Sequence, residues 1–143
     1  MSGNSPNALK GYMGNANLKR ENVKIKYTKF QIQEIAKCRN DPIYFIQNYI
    51  KIVNVDKGFI PFKLYDFQIE IIKCILENRF VICKLPRQSG KSITVASMLL
   101  WYALFNPEFN IAILAHKAEQ SRVILDRIQR SYEALPPWLQ QGI

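Results

Sequence analysis

The sequence predicts an α/β fold: an incomplete parallel sheet with flanking helices, preceded by a small helical segment. Two observations carry this. Apolar runs of strand length, Arg79 to Leu85 (RFVICKL) and Asn110 to Leu114 (NIAIL), alternate with helical patterns over about 91–105 and 118–134. Strand, helix, strand, helix in that order argues for parallel pairing, and near-continuous apolar strands argue for cover on both faces. Upstream of residue 79, by contrast, the pattern is mainly helical.

Composition narrows the classes. The chain has 143 residues, enough for one compact domain. With 48% hydrophobic and 22% charged residues it belongs with globular chains. Lys and Arg number 20 against 11 acids, a net charge of +9 that favours anionic partners such as nucleic acid or nucleotide. No apolar run approaches the roughly 18 residues of a membrane helix, and residues 1–25 contain no apolar signal-peptide core. Cys38, Cys74 and Cys83 are unclustered, which argues against a zinc site or a disulfide framework. A single histidine, His116, makes a His-based metal site or triad improbable.

The elements follow in order. Residues 1–27 read as a flexible basic arm: six basic residues (Lys10, Lys19, Arg20, Lys24, Lys26, Lys29) face Glu21 alone in the first 30 positions. The arm reads either as a DNA- or partner-contacting tail or as an ordinary solvated terminus. A helical segment is expected over 28–78. Thr28 with Gln31 fits a capping box, and Ile32, Ile35 and Ala36 supply an apolar face. Asp41-Pro42 opens a second helix with Ile43, Ile46, Tyr49 and Ile50 at helical spacing. Residues 51–63 read as an extended pair around the turn Val55-Asp56-Lys57-Gly58. Asp66 is expected to cap a helix over about 67–77 with Phe67, Ile71, Ile72 and Ile75 on its apolar stripe. Helix 91–105 stops at Asn106-Pro107, and helix 118–134, with Ile124, Ile128 and Tyr132 on one face, is ended by Pro136-Pro137.

Between the first apolar run and its helix lies Pro86-Arg87-Gln88-Ser89-Gly90-Lys91-Ser92, ending in G-K-S, the last part of the phosphate-binding pattern G-x-x-x-x-G-K-[ST]. Gly90 lets the backbone turn tightly and aim N–H groups inward. The following helix adds its positive dipole end. Lys91 supplies charge to β- and γ-phosphate oxygens, and the Ser92 hydroxyl would complete a Mg²⁺ shell. Leu85 stands where the strict pattern has its first glycine. Gln68, in the first turn of a helix, can both donate to and accept from an adenine edge, with Tyr65 and Phe67 beside it to cover the base. Arg87 can act as an arginine finger in cis or be a plain surface arginine. The fold expected over 79–143 is thus the first half of a P-loop NTPase core.

Leu85 to Ser92, with its early arginine, resembles the deviant Walker A loop of phage large terminase subunits, most closely those of T-even-like tailed phages. The similarity extends to Phe59-Ile60-Pro61-Phe62 and Tyr65-Asp66-Phe67-Gln68, which resemble the family's adenine-recognition segment. It continues through Ile113-Leu114-Ala115-His116-Lys117, Val123-Ile124-Leu125-Asp126-Arg127 and the closing Leu135 to Ile143. It covers about 40–143.

The resemblance implies an ATP-driven motor that moves double-stranded DNA through a portal into a prohead, with a C-terminal endonuclease. By position, Gln68 would recognise adenine. Pro86, Arg87, Gln88, Ser89, Gly90, Lys91 and Ser92 would cradle ATP, with Ser92 on Mg²⁺ and Lys91 and Arg87 acting on the transferring phosphoryl group. Implied partners are double-stranded DNA, the portal protein, the small terminase subunit and a complementing C-terminal fragment. The implied location is the host cytoplasm, at the prohead.

No apolar strand ending in Asp-Glu follows, and the candidate acids Asp126 and Glu133 fall on an amphipathic helix. The sequence is therefore expected to correspond to the front half of a motor domain. A helicase-like P-loop ATPase fragment and a non-catalytic nucleotide- or DNA-binding module stay open as alternatives.

Overall fold

A computed structural model describes residues 11–21, 23–87 and 89–141. Five helices and one hairpin follow one another: α1 (Lys29–Asn40), α2 (Pro42–Tyr49), β1 (Lys51–Asn54), β2 (Gly58–Pro61), α3 (Asp66–Glu77), α4 (Lys91–Phe105) and α5 (Ala118–Glu133).

Local chemistry sets most boundaries where the sequence predicts them. The Thr28 hydroxyl accepts from the Gln31 amide at 3.2 Å while the Gln31 side chain accepts from the Thr28 N–H at 3.0 Å, a complete capping box at the start of α1. Asp41 Oδ1 accepts from the Ile43 and Tyr44 N–H groups and opens α2, with Pro42 at its first position. The strands of the hairpin pair antiparallel, Ile52 opposite Ile60 and Asn54 opposite Gly58. Gly58 takes φ +68°, the left-handed value the turn requires. Helix α3 starts one residue earlier than expected, so that Tyr65 is its cap and Asp66 its first residue.

The core lies between α2, α3, α4 and the closing turn at 135–139. Phe45, Ile46, Ile50, Ile72, Met98 and Leu100 are buried there. Phe45 meets Phe105 edge-on at 5.7 Å between ring centroids, and Tyr49 meets Trp138 in the same way. The Trp101 indole donates to the Cys38 carbonyl at 2.7 Å, tying α4 to α1.

Helix α1 buries only part of the predicted face, with Ile35 packed against the core. Ile32 and Ala36 are exposed, whereas Glu34 and Cys38 are buried. The reason is polar: Glu34 accepts from the Tyr44 hydroxyl at 2.8 Å and from the Tyr49 hydroxyl at 2.6 Å. These bonds hold its carboxyl below the usual carboxylate range, led by the bond from Tyr49. Apolar periodicity does not register a carboxylate satisfied by two phenols.

The expected parallel sheet is absent among the described residues, where the one sheet is the β1–β2 hairpin. Residues 81–84 and 110–114 run without regular hydrogen-bonded structure and make no hydrogen bond to another described residue. Phe80, Ile82 and Leu114 are 82%, 98% and 88% exposed. Each run is apolar enough to be a central strand, but a strand forms only when neighbours take up its N–H and C=O groups.

The described part of the expected basic arm is held to the body. Lys19 N–H donates to the Gln140 side-chain oxygen at 2.9 Å, and the Gln140 amide donates to the carbonyls of Asn17, Tyr132 and Leu135. Residues 1–10 lie outside the described residues. Among the described residues, no helix is long and apolar enough to cross a membrane.

Candidate functional site

The loop 85–92 leads from an extended segment into α4, whose cap is Gly90 at φ +75° and ψ 12°. That left-handed conformation favours glycine, and a side chain there would also collide: a Cβ on Gly90 would stand 2.8 Å from the Gln68 amide nitrogen. The Gly90 carbonyl is held on one side by the Thr94 N–H and hydroxyl, the latter at 2.9 Å. On the other side the Gln68 amide donates to it at 3.4 Å.

Gln68 is buried, and its side-chain oxygen accepts from the Tyr65 N–H at 2.9 Å. It thus joins the start of α3 to the start of α4. An amide carries two N–H donors and two acceptor lone pairs, so one of each stays available to a ligand. Tyr65 and Phe67 stack nearly parallel, 6.0 Å between centroids, and both are exposed.

Lys91 folds back over the loop, its ammonium donating to the Leu85 carbonyl at 3.3 Å. The Ser89 hydroxyl oxygen is buried and has no hydrogen-bond partner among the described residues. A buried hydroxyl without a partner costs free energy unless a ligand or water meets it. Pro86 and Arg87 are exposed and Ser92 is half-buried; Gln88 lies outside the described residues.

Ser89, Gly90 and Gln68 open onto one cavity of about 790 Å³. One wall is apolar and aromatic, from Ile52, Phe59, Phe62 and Tyr65. Helix α5 contributes Arg127, Arg130, Ser131 and Glu133, and its cap Ala134 follows; Arg127, Arg130, Ser131 and Ala134 are spaced i, i+3, i+4, i+7 on one face. The structure therefore brings together Gln68, Ser89 and Gly90 among the predicted residues. Arg87, Lys91 and Ser92 belong to the loop but not to the cavity lining.

Helical periodicity alone leaves Lys117, Arg122, Arg127 and Arg130 on a charged face that suits solvent or DNA. The spacing that turns Arg127 and Arg130 toward the cavity was visible; the packing of α5 against α4 was not. Lys117 and Arg122 are exposed and stand outside the lining.

The donor set fits phosphate: a glycine-capped helix start, a lysine and an orphaned hydroxyl. It does not by itself fit Mg²⁺. No group of three or more His, Cys, Asp or Glu residues could hold a metal among the described residues, and Asp126 is paired with Arg130 at 2.9 Å. Ser92 alone is too small a ligand set for a protein-held ion. No protein-family model matches the sequence.

Proposed function

We propose that this chain binds a purine nucleoside triphosphate through a P-loop-type site, the phosphates on Ser89-Gly90-Lys91-Ser92 and the base toward Gln68 and the aromatic wall. The observation that carries the reading is the Gly90 cap: left-handed, held by Gln68 and Thr94, and opening onto a cavity large enough for a nucleotide. Mg²⁺ would arrive with the phosphates, with Ser92 as its one ligand from this chain. The loop would supply charge and hydrogen bonds to the transferring phosphoryl group, with Lys91 and Arg87 as its cations.

Within that class, the reading we favour is the front part of a phage large terminase subunit, the ATP-driven motor that packages double-stranded DNA. The resemblance of Leu85–Ser92, Tyr65–Gln68 and Ile113–Lys117 supports it. So do residues 81–84 and 110–114, apolar extended segments that make no hydrogen bond to another described residue and suit strands supplied by a complementing C-terminal part. On this reading the portal protein and the small subunit are further partners, and the site of action is the prohead in the host cytoplasm. Asp126 is engaged by Arg130, so the carboxylates for hydrolysis would come from the complementing part. The activity proposed for this chain alone is nucleotide binding.

Calorimetric titration with MgATP tests the reading. Wild type should bind, Lys91→Ala should lose most of its affinity, and Arg87→Ala should bind nearly normally. Gln68→Ala should relax the preference for ATP over GTP. Equal affinity in wild type and Lys91→Ala, or no binding by either, would overturn the assignment.

A further inference from the structure

Helix α5 places an unpaired cation at the nucleotide cavity. Three cations line this cavity, Lys51 from β1 and Arg127 and Arg130 from α5, with Glu133 as the acid. Arg130 forms an exposed ion pair with Asp126 one turn back. Arg127 has no ion-pair or hydrogen-bond partner among the described residues. Its side chain is exposed at the cavity, where Arg130, Ser131, Glu133 and Ala134 line the same wall. The other face of α5 packs through Ile128 and Tyr132 against the core. The helix is therefore anchored on one side and presents a free guanidinium on the other.

An unpaired guanidinium at a cavity that also holds an orphaned hydroxyl and a glycine-capped helix start is suited to an anion. Its fork of N–H groups matches phosphate oxygens better than an ammonium does. Resting on the nucleotide-binding reading above, we infer that Arg127 is a further ligand-binding residue, contacting a phosphate oxygen of the bound nucleoside triphosphate from helix α5. Binding would then tie α5 to the loop at the start of α4. The pairing of Arg130 with Asp126 holds a second cation beside it without competing for the ligand.

The test is MgATP titration of the full chain as wild type, Arg127→Gln, Arg127→Lys, Arg122→Gln and Lys91→Ala, with thermal melts to check folding. Each titration is run between about 0.05 and 0.3 M salt, a range that changes screening strongly. Arg127→Gln should weaken binding about tenfold, the scale of one charge-assisted hydrogen bond, and flatten the salt dependence. Arg127→Lys should recover part of the loss, and Arg122→Gln, outside the cavity, should match wild type. Wild-type affinity in Arg127→Gln, with Lys91→Ala still impaired, would overturn the inference and leave the loop assignment standing. A weakened Arg127→Gln with an unchanged salt slope would also overturn it, since the residue would then act through packing. No binding by wild type, or full binding by Lys91→Ala, would remove the loop assignment and this inference together.

Discussion

The block from α1 to α3 with α4, and the extended stretches 79–87 and 107–117, have similar apolar content and opposite fates. In the block, Phe45, Ile46 and Ile50 are fully buried, the capping boxes and turns are satisfied, and even a carboxylate, Glu34, has two phenol donors. In the extended stretches, Phe80, Ile82 and Leu114 face solvent, and residues 81–84 and 110–114 make no hydrogen bond to another described residue. Two of the cysteines illustrate the contrast: burial in the block pushes the Cys38 thiol up to about 12, while Cys83 in the extended stretch is exposed; Cys74, on α3, is exposed as well. Helices satisfy their own backbones and need only one covered face, so they form as soon as a neighbour is present. Central strands need partners on two edges and two faces before they form at all. The same degree of hydrophobicity therefore yields a packed core in one region and an open surface in the other.

The sharpest way to break this comparison is a pair of identical truncations. Phe45→Ala should cost about 3–5 kcal/mol in denaturant unfolding, as for other buried aromatics. Phe80→Ala should stay within about 0.5 kcal/mol of wild type, as for an exposed position. Comparable losses in both would mean that the extended segment is part of the cooperative core. Next in size is Gln140→Ala, which strips partners from the carbonyls of Asn17, Tyr132 and Leu135 and from the Lys19 N–H. A loss of about 1–3 kcal/mol is expected, together with faster amide exchange at Lys19. No change in exchange would show that the described part of the arm is not held by this residue.

Gly90→Ala sharpens the boundary between the two regions, because Gly90 joins the loop to the block. The left-handed backbone and the close Gln68 amide should make it destabilising by about 1–2 kcal/mol, and MgATP affinity should fall with it. An unchanged melting temperature would contradict the left-handed cap.

The smallest effect concerns Glu34. Its carboxyl is held low in the fold by Tyr49 and then Tyr44. The stabilisation is fully present above the ordinary carboxylate value of the unfolded chain, and is lost as pH falls through the folded value. Melting temperature should decline on acidification below about pH 4.5, and Tyr49→Phe should decline less steeply from a lower start. Parallel curves would remove Glu34 from the acid response.

The sequence by itself determined the helices and turns. Thr28 and Gln31, Asp41 and Pro42, Gly58 and the Gly90 cap act through bonds to residues within a few positions, so their effects are legible along the chain. It grouped Gln68 with Pro86 to Ser92 as one candidate site, of which Gln68, Ser89 and Gly90 line a common cavity. The tertiary structure alone decided which face of α1 is buried, because that depends on Tyr44 and Tyr49 from the next helix reaching Glu34. It decided that Arg127 and Arg130 look into the cavity, because that depends on how α5 lies on α4. It decided, too, that two apolar runs of strand length are not strands among the described residues. Strand formation is a property of a set of paired segments, whereas capping and helical periodicity are written within one segment.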